Sequence, residues 1–292
     1  MIKFDEQKQL DSVAGALAIR KEIEGIAADV AGRGYKNICY LGIGGTYASA
    51  LQTQNHVQEY SGMEIIAQNA ALYNTTGNRR IGKDTVIVLS SVTGTTQEVV
   101  AAVEKAKAQG AVVIGFVDTA DTPLEKLSDY AIRYPQNEQL KFFMLADRLM
   151  QLAGDFPQYE QQYAEYDRYL PQALVETEKA ADDFGRTFAE RHCNDAMHYF
   201  VGAGNQYGST YSYAMCYWEE QPWLRSKSCR RVLPRYAGGR GQGHARDPLY
   251  GRGRPASAVG ACEELPAPSL RQLHHYRRCR LPPHRHQPCV PG

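Results

Sequence analysis

A chain of 292 residues with 43% hydrophobic content can bury one large core or two ordinary ones, and is neither disordered nor fibrous by composition. No run approaches the roughly 18 to 20 apolar residues of a membrane helix. The start, MIKFDEQKQLDS, holds no apolar signal core, so a soluble, cytoplasmic protein without membrane contact is expected. The formal charge of +1 joins two unlike parts, because residues 229–292 carry 12 Arg, no Lys and only Asp247, Glu263 and Glu264 as acids. That segment is +9, which leaves −8 for the first 228 residues.

In chain order, Asp11 to Ala31 has helical spacing, with Ile19, Ile23, Ile26 and Val30 on one face and glycines at 32 and 34 to end it. Asn37 to Leu41 (NICYL) reads as a strand running into the turn GIGGTYASA, with a helix from Ala48 to Glu59. The unit recurs as the strand Thr85 to Leu89, the loop SSVTGTTQEVV and the helix Gln97 to Gln109, followed by the strand Ala111 to Val117. Alternating strands and helices predict an α/β fold, a three-layer αβα sandwich around a mainly parallel sheet. A helix over Leu140 to Leu152 closes this unit, and Tyr159 to Ala189 reads as a helical connection broken near Pro171. Asp195 to Val201 then enters GAGNQYGSTYSYAMCYWEE, which repeats the strand, glycine turn, helix plan and implies an internal duplication. The expected organisation is an N-terminal helix (1–29), a first domain (30–155), a helical connection (156–194), the start of a second domain (195–228) and a tail (229–292).

The two loops carry the functional signal. A turn that leaves a parallel strand and opens a helix aims free backbone N–H groups and the positive helix end at whatever lies above the sheet edge. Gly42, Gly44 and Gly45 allow close approach, while Thr46 and Ser49 add hydroxyls. The second loop adds Ser90, Ser91, Thr93, Thr95 and Thr96 around Gly94. No lysine follows the glycines, so this is not a nucleotide P-loop, and a dinucleotide fingerprint is also absent. The competing reading is that the glycines only permit tight strand-to-helix packing, but two hydroxyl-rich loops favour a phosphate cradle. No cofactor is expected.

These loops resemble those of the SIS (sugar isomerase) family, whose second loop commonly runs Ser-x-Ser-Gly-x-Thr-x-Glu. The match here is Ser91, Val92, Thr93, Gly94, Thr95, Thr96, Gln97, Glu98, with Thr93 replacing the second serine. AMCYWEEQPWLRSK is similar to the segment that supplies a catalytic glutamate in fructoselysine-6-phosphate deglycases and in the isomerase half of glucosamine-6-phosphate synthase. The resemblance implies tandem flavodoxin-like domains, the second truncated here. It also implies a phosphorylated sugar or amino-sugar ligand, a homodimer, and Glu220 as the proton-transferring carboxylate, with Glu219 as the alternative. An adjacent acidic pair on a helix is otherwise a solvated face. A non-catalytic sugar-phosphate sensor is the rival reading. Such sensors usually carry a DNA-binding domain, and about 30 residues precede the first strand here.

In these relatives a histidine follows the glutamate by some fourteen to sixteen residues, in a phrase like EFFHG. No histidine lies between Trp218 and Arg240. Codons for Cys229 to Arg240 can be chosen so that reading one base later gives AAEFFHGTLEV, and the same offset permits ordinary peptides in three later windows. A frameshift is therefore expected to have made residues 229–292 a non-native, disordered tail. Its 9 of the 14 prolines, and its lack of Ile, Phe, Trp, Met, Asn and Thr, agree with that. Two other readings of the tail are disfavoured. Its arginines are spread through Gly and Pro without an organised helix, which argues against nucleic-acid binding. His274, His275, Cys279, His284, His286 and Cys289 match no standard zinc spacing, so no metal is expected. Seven cysteines without a CxxC pair indicate reduced thiols.

Overall fold

The computed structural model of the chain describes residues 4–222 and 224–230. Two helices, α1 (Glu6–Ala18) and α2 (Arg20–Arg33), lead into a βα series. It comprises β1 (Asn37–Gly42), α3 (Gly45–Tyr60), β2 (Ile65–Asn69), α4 (Ala70–Thr76), β3 (Thr85–Ser91), α5 (Gln97–Ala108), β4 (Val112–Val117), α6 (Pro123–Leu127), β5 (Tyr130–Ile132) and α7 (Glu138–Leu152). The five strands form one parallel sheet in the order β2-β1-β3-β4-β5, which confirms the α/β expectation.

Strand alternation sorts the core into two layers. Ile38, Tyr40, Val86, Val88, Ile114 and Phe116 face the layer holding α1, α2, α3 and α7. Cys39, Leu41, Ile87, Leu89, Val113 and Val117 face α4, α5 and α6. With both faces covered, β1 and β3 are buried at every position, so their sequences are continuous apolar runs rather than alternating ones.

The helix expected over Asp11 to Ala31 is instead two, broken at Ile19 (φ −79°, ψ 0°). The break lets each half meet a different partner. Val13 and Leu17 of α1 pack on α8 (Tyr159–His192), whereas Ile23, Ala27 and Val30 of α2 pack on α7. The break expected near Pro171 does not occur, and α8 is one helix of 34 residues with that proline inside. Proline removes one helical hydrogen bond and costs about 3 kcal/mol. Tertiary contacts on both sides offset it: Tyr163, Tyr166, Leu170 and Ala173 are buried, and Arg20 holds Asp167 through two 2.8 Å hydrogen bonds.

A buried polar clasp joins α3, α7 and α8. His56 Nε2 lies 2.6 Å from Asp147 Oδ1, each side chain 1% exposed, and Tyr163 Oη donates to Asp147 Oδ2 at 2.8 Å. Burial, with Asp147 beside it, holds the Tyr163 phenol well above its ordinary pKa.

After α8, the strand β6 (His198–Gly202), α9 (Gln206–Ser212), a π-helical turn (Tyr213–Glu219) and β7 (Ser226–Arg230) form a second unit. β6 and β7 pair in parallel, so this unit repeats the β1–α3–β2 plan. β7 runs two residues beyond Ser228, through Cys229 and Arg230. The rest of the expected tail, with its candidate metal ligands, lies outside the described residues. Among the described residues, no helix is long and apolar enough to cross a membrane.

Candidate functional site

The sheet order places the chain reversal between β1 and β3, whose succeeding helices pack on opposite faces: α3 with the first core layer, α5 with the second. In open α/β sheets this switch point leaves a crevice beyond the carboxyl ends of the strands. Both hydroxyl-rich loops lie there, one after each strand.

In the first loop the glycines divide by role. A Cβ on Gly42 would meet the Thr46 carbonyl carbon at 2.7 Å, so this residue serves tight packing. Gly44 has φ 58° and N-caps α3 without a side chain, and a Cβ on Gly44 or Gly45 would meet nothing within 4 Å. Space therefore remains open over the first turn of α3, whose N–H groups have no side-chain cap. Thr46 donates to Glu138 Oε2 at 3.0 Å. Ser49 is half-buried, and its carbonyl accepts from Thr53 Oγ1 at 2.9 Å.

In the second loop Ser91 ends β3, and its Oγ accepts from Gly94 N at 3.0 Å. Gly94 has φ 66°, and a Cβ there would collide with Thr122 Oγ1, while its carbonyl accepts from Leu124 N at 3.1 Å. The loop is thus folded against the segment after β4. Thr93 and Thr95 are exposed, and Thr95 N donates to Thr93 Oγ1 at 3.4 Å. Thr96 N-caps α5 without a side-chain hydrogen bond, which leaves a second helix N-terminus free at the same edge. The packing reading therefore describes Gly42 and part of Gly94, but not Gly44, Gly45 or the exposed hydroxyls.

The same edge concentrates backbone strain. The three non-glycine residues with positive φ among the described residues are Asp121 (59°), Gln136 (62°) and Asn137 (52°), and all follow the carboxyl ends of β4 and β5. Nothing local in the sequence marked Gln136, Asn137 or Glu138, since their significance lies in contacts with residues far along the chain.

The second unit docks on α3. Gly208 of α9 lies against Ala48 O and, at 2.8 Å from an added Cβ, Gln52 Cβ; Ser209 Oγ donates to Gln52 Oε1 at 2.9 Å. The Tyr211 ring stands edge-on to Tyr47 at 6.1 Å, while Arg230 donates to Asn55 Oδ1 at 2.8 Å. The contacts of α9 with α3 thus fall on Tyr47, Ala48 and Gln52. The π-helical turn follows α9 and ends at Glu219 with Glu220 as its cap, both exposed. Such turns recur at functional sites. Glu219 accepts from Ser226 Oγ at 3.0 Å, which ties it to β7, whereas the Glu220 carboxylate has no bonded partner among the described residues. Those residues contain no group of His, Cys, Asp and Glu able to hold a metal ion.

Residues 33–152, from the end of α2 through α7, match the SIS domain family, and the fold is the α/β fold with a parallel central sheet found in the solved structures that resemble it. The chain is similar to fructosamine deglycase FrlB of Bacillus subtilis (strain 168), 22% identical over 226 residues, 71% of this chain and 66% of that one. It therefore spans just under two thirds of that relative. A shorter match, 44% over 57 residues and 20% of each chain, links it to an uncharacterized HTH-type transcriptional regulator of Clostridium perfringens (strain 13 / Type A). Among solved structures, a protein assigned as a phosphosugar isomerase from Salmonella typhimurium LT2 superposes with TM-score 0.66 at 23% identity, covering 72% of this chain and 67% of that one.

Proposed function

We propose that the chain binds a phosphorylated sugar at the β1–β3 crevice and is built for deglycation or isomerisation of a phosphorylated ketosamine. The observation that carries this reading is the pairing of two hydroxyl-bearing loops with two helix N-termini free of side-chain caps at one switch point. Neutral donors and helix ends suit a phosphate remote from the reacting carbons, so binding energy there orients the substrate without taking part in the chemistry. Similarity to a fructosamine deglycase supports the substrate class.

In the proposed reaction Glu220 takes a proton from C1 of the open-chain ketosamine and returns it to C2, with Glu219 as the alternative base. The enolamine becomes an imine, and water hydrolyses it to glucose 6-phosphate and the free amine. The exposed position of Glu220 directly after the π-helical turn supports this role, since such turns recur at functional sites. No histidine of this frame stands where the relatives place one, so ligand binding is expected to be retained more fully than turnover. A homodimer is part of the same proposal.

The 57-residue match to a transcriptional regulator favours a second reading, a sugar-phosphate sensor without catalysis. Thermal-shift measurements with a panel of sugar phosphates, run beside release of glucose 6-phosphate from a fructosamine 6-phosphate, separate the two. A shift with product supports the enzyme. A shift without product supports the sensor, and no shift with any sugar phosphate overturns both.

A further inference from the structure

Among the described residues, Glu138 is the one acidic side chain bonded to a cradle hydroxyl, and it comes from 92 residues along the chain. Thr46 Oγ1 donates to Glu138 Oε2 at 3.0 Å. A hydroxyl has one proton, and an ionised carboxylate only accepts. In the empty cradle that proton is therefore committed to Glu138. A phosphate ester dianion also brings acceptors alone, so Thr46 cannot serve both, and the two anions repel each other across the first turn of α3.

The placement of Glu138 is fixed by strain. Gln136 and Asn137, immediately before it, both occupy the left-handed region with φ 62° and 52°. Non-glycine residues stay there only when their surroundings hold them. Asn137 Nδ2 donates to Ser12 O at 3.0 Å and Ser12 Oγ at 2.7 Å, and Gln136 N donates to Asp118 Oδ2 at 3.2 Å. Beneath the turn the buried Lys141 ammonium donates to Tyr134 O at 2.7 Å and Asp118 Oδ1 at 3.4 Å. Together these contacts set where α7 begins and how far the Glu138 side chain reaches. A carboxylate also suits the first turn of its own helix, but that role requires neither the strained turn nor a reach to Thr46.

We propose that Glu138 holds the phosphate's place at Thr46 in the empty cradle and is displaced on binding, so that its charge sets the affinity for phosphate esters. The proposal rests on the phosphate-cradle reading above. The test titrates inorganic phosphate and glucose 6-phosphate into the full chain by calorimetry, comparing the wild type with Glu138→Gln. The amide keeps the size and can still accept from Thr46, but carries no charge. Expected is binding about three- to tenfold tighter in E138Q. The gain should shrink as salt rises from about 0.05 M to about 0.5 M, which a purely structural role would not produce.

Glu138→Asp, which keeps the charge but draws it back by one methylene, is expected to tighten binding at least about twofold and serves if E138Q does not fold. Unchanged or weaker binding in the folded variants overturns the proposal. If wild-type binding is lost in Thr46→Val yet indifferent to E138Q, the cradle stands and only the role of Glu138 falls. If neither wild type nor variants bind either ligand, both fall.

Discussion

The β1–α3–β2 and β6–α9–β7 units follow one plan, yet among the described residues only the first is enclosed. β1 is flanked by β2 and β3 and is buried on both faces. β6 pairs with β7 alone among the described residues. His198, Phe200 and Gly202 face inward, but Tyr199 and Val201 are 64% and 47% exposed. NICYL and HYFVG are similarly apolar, so the difference does not come from the strands. It comes from what surrounds them: a strand of a parallel sheet is buried on both faces only when helices cover both. The first unit has that cover and a switch-point crevice, whereas the second, among the described residues, comprises two strands and the helix between them. On the proposed function, binding belongs to the first unit and proton transfer to the second.

That division gives the largest expected effect. Glu220→Gln should lower turnover by about 10²- to 10⁴-fold while leaving sugar-phosphate binding unchanged, measured as product release beside calorimetry. Lost binding, or unchanged turnover where the wild type is active, would remove the second unit from the chemistry. Next comes stability of the enclosed unit. Asp147→Ala leaves the buried His56 and Tyr163 groups without their partner and should cost about 3–5 kcal/mol in denaturant unfolding. A loss under about 1 kcal/mol would mean that the clasp does not hold α3 to α7 and α8. The contrast between the two sheets is sharpest in a matched pair. Ile87→Ala in β3, at 0% exposure, should cost about 2–5 kcal/mol, whereas Val201→Ala in β6 should stay within about 0.5 kcal/mol. A large loss at Val201 would show that its face is covered in solution.

Much of the first unit was legible because its signals are local. The runs NICYL, TVIVL and AVVIGFV, each followed by a glycine- or hydroxyl-rich turn, announce buried parallel strands. β2 and the three-residue β5 escaped notice, since short strands at the sheet margin carry no distinctive pattern. The break at Ile19 and the continuity through Pro171 were misjudged for a common reason. Each depends on which helix lies opposite, and local propensity does not record that.

The cradle divides along the same line. Gly44, Gly45, Thr46, Ser91, Thr93, Gly94, Thr95 and Thr96 are nominated by residue type and order alone, because the chemistry of a phosphate turn is contained within a few consecutive residues. The roles within it are tertiary. Gly42 serves packing while Gly44 and Gly45 face open space, Glu219 is tied to Ser226 while Glu220 has no bonded partner among the described residues, and Glu138 reaches Thr46 across 92 residues. By itself the sequence determined the α/β class and the two hydroxyl-rich loops, since both follow from periodicity and turn chemistry within short windows. Only the tertiary structure decided which helix ends meet at the crevice and which carboxylate stands against it, because those contacts join residues that the chain keeps far apart.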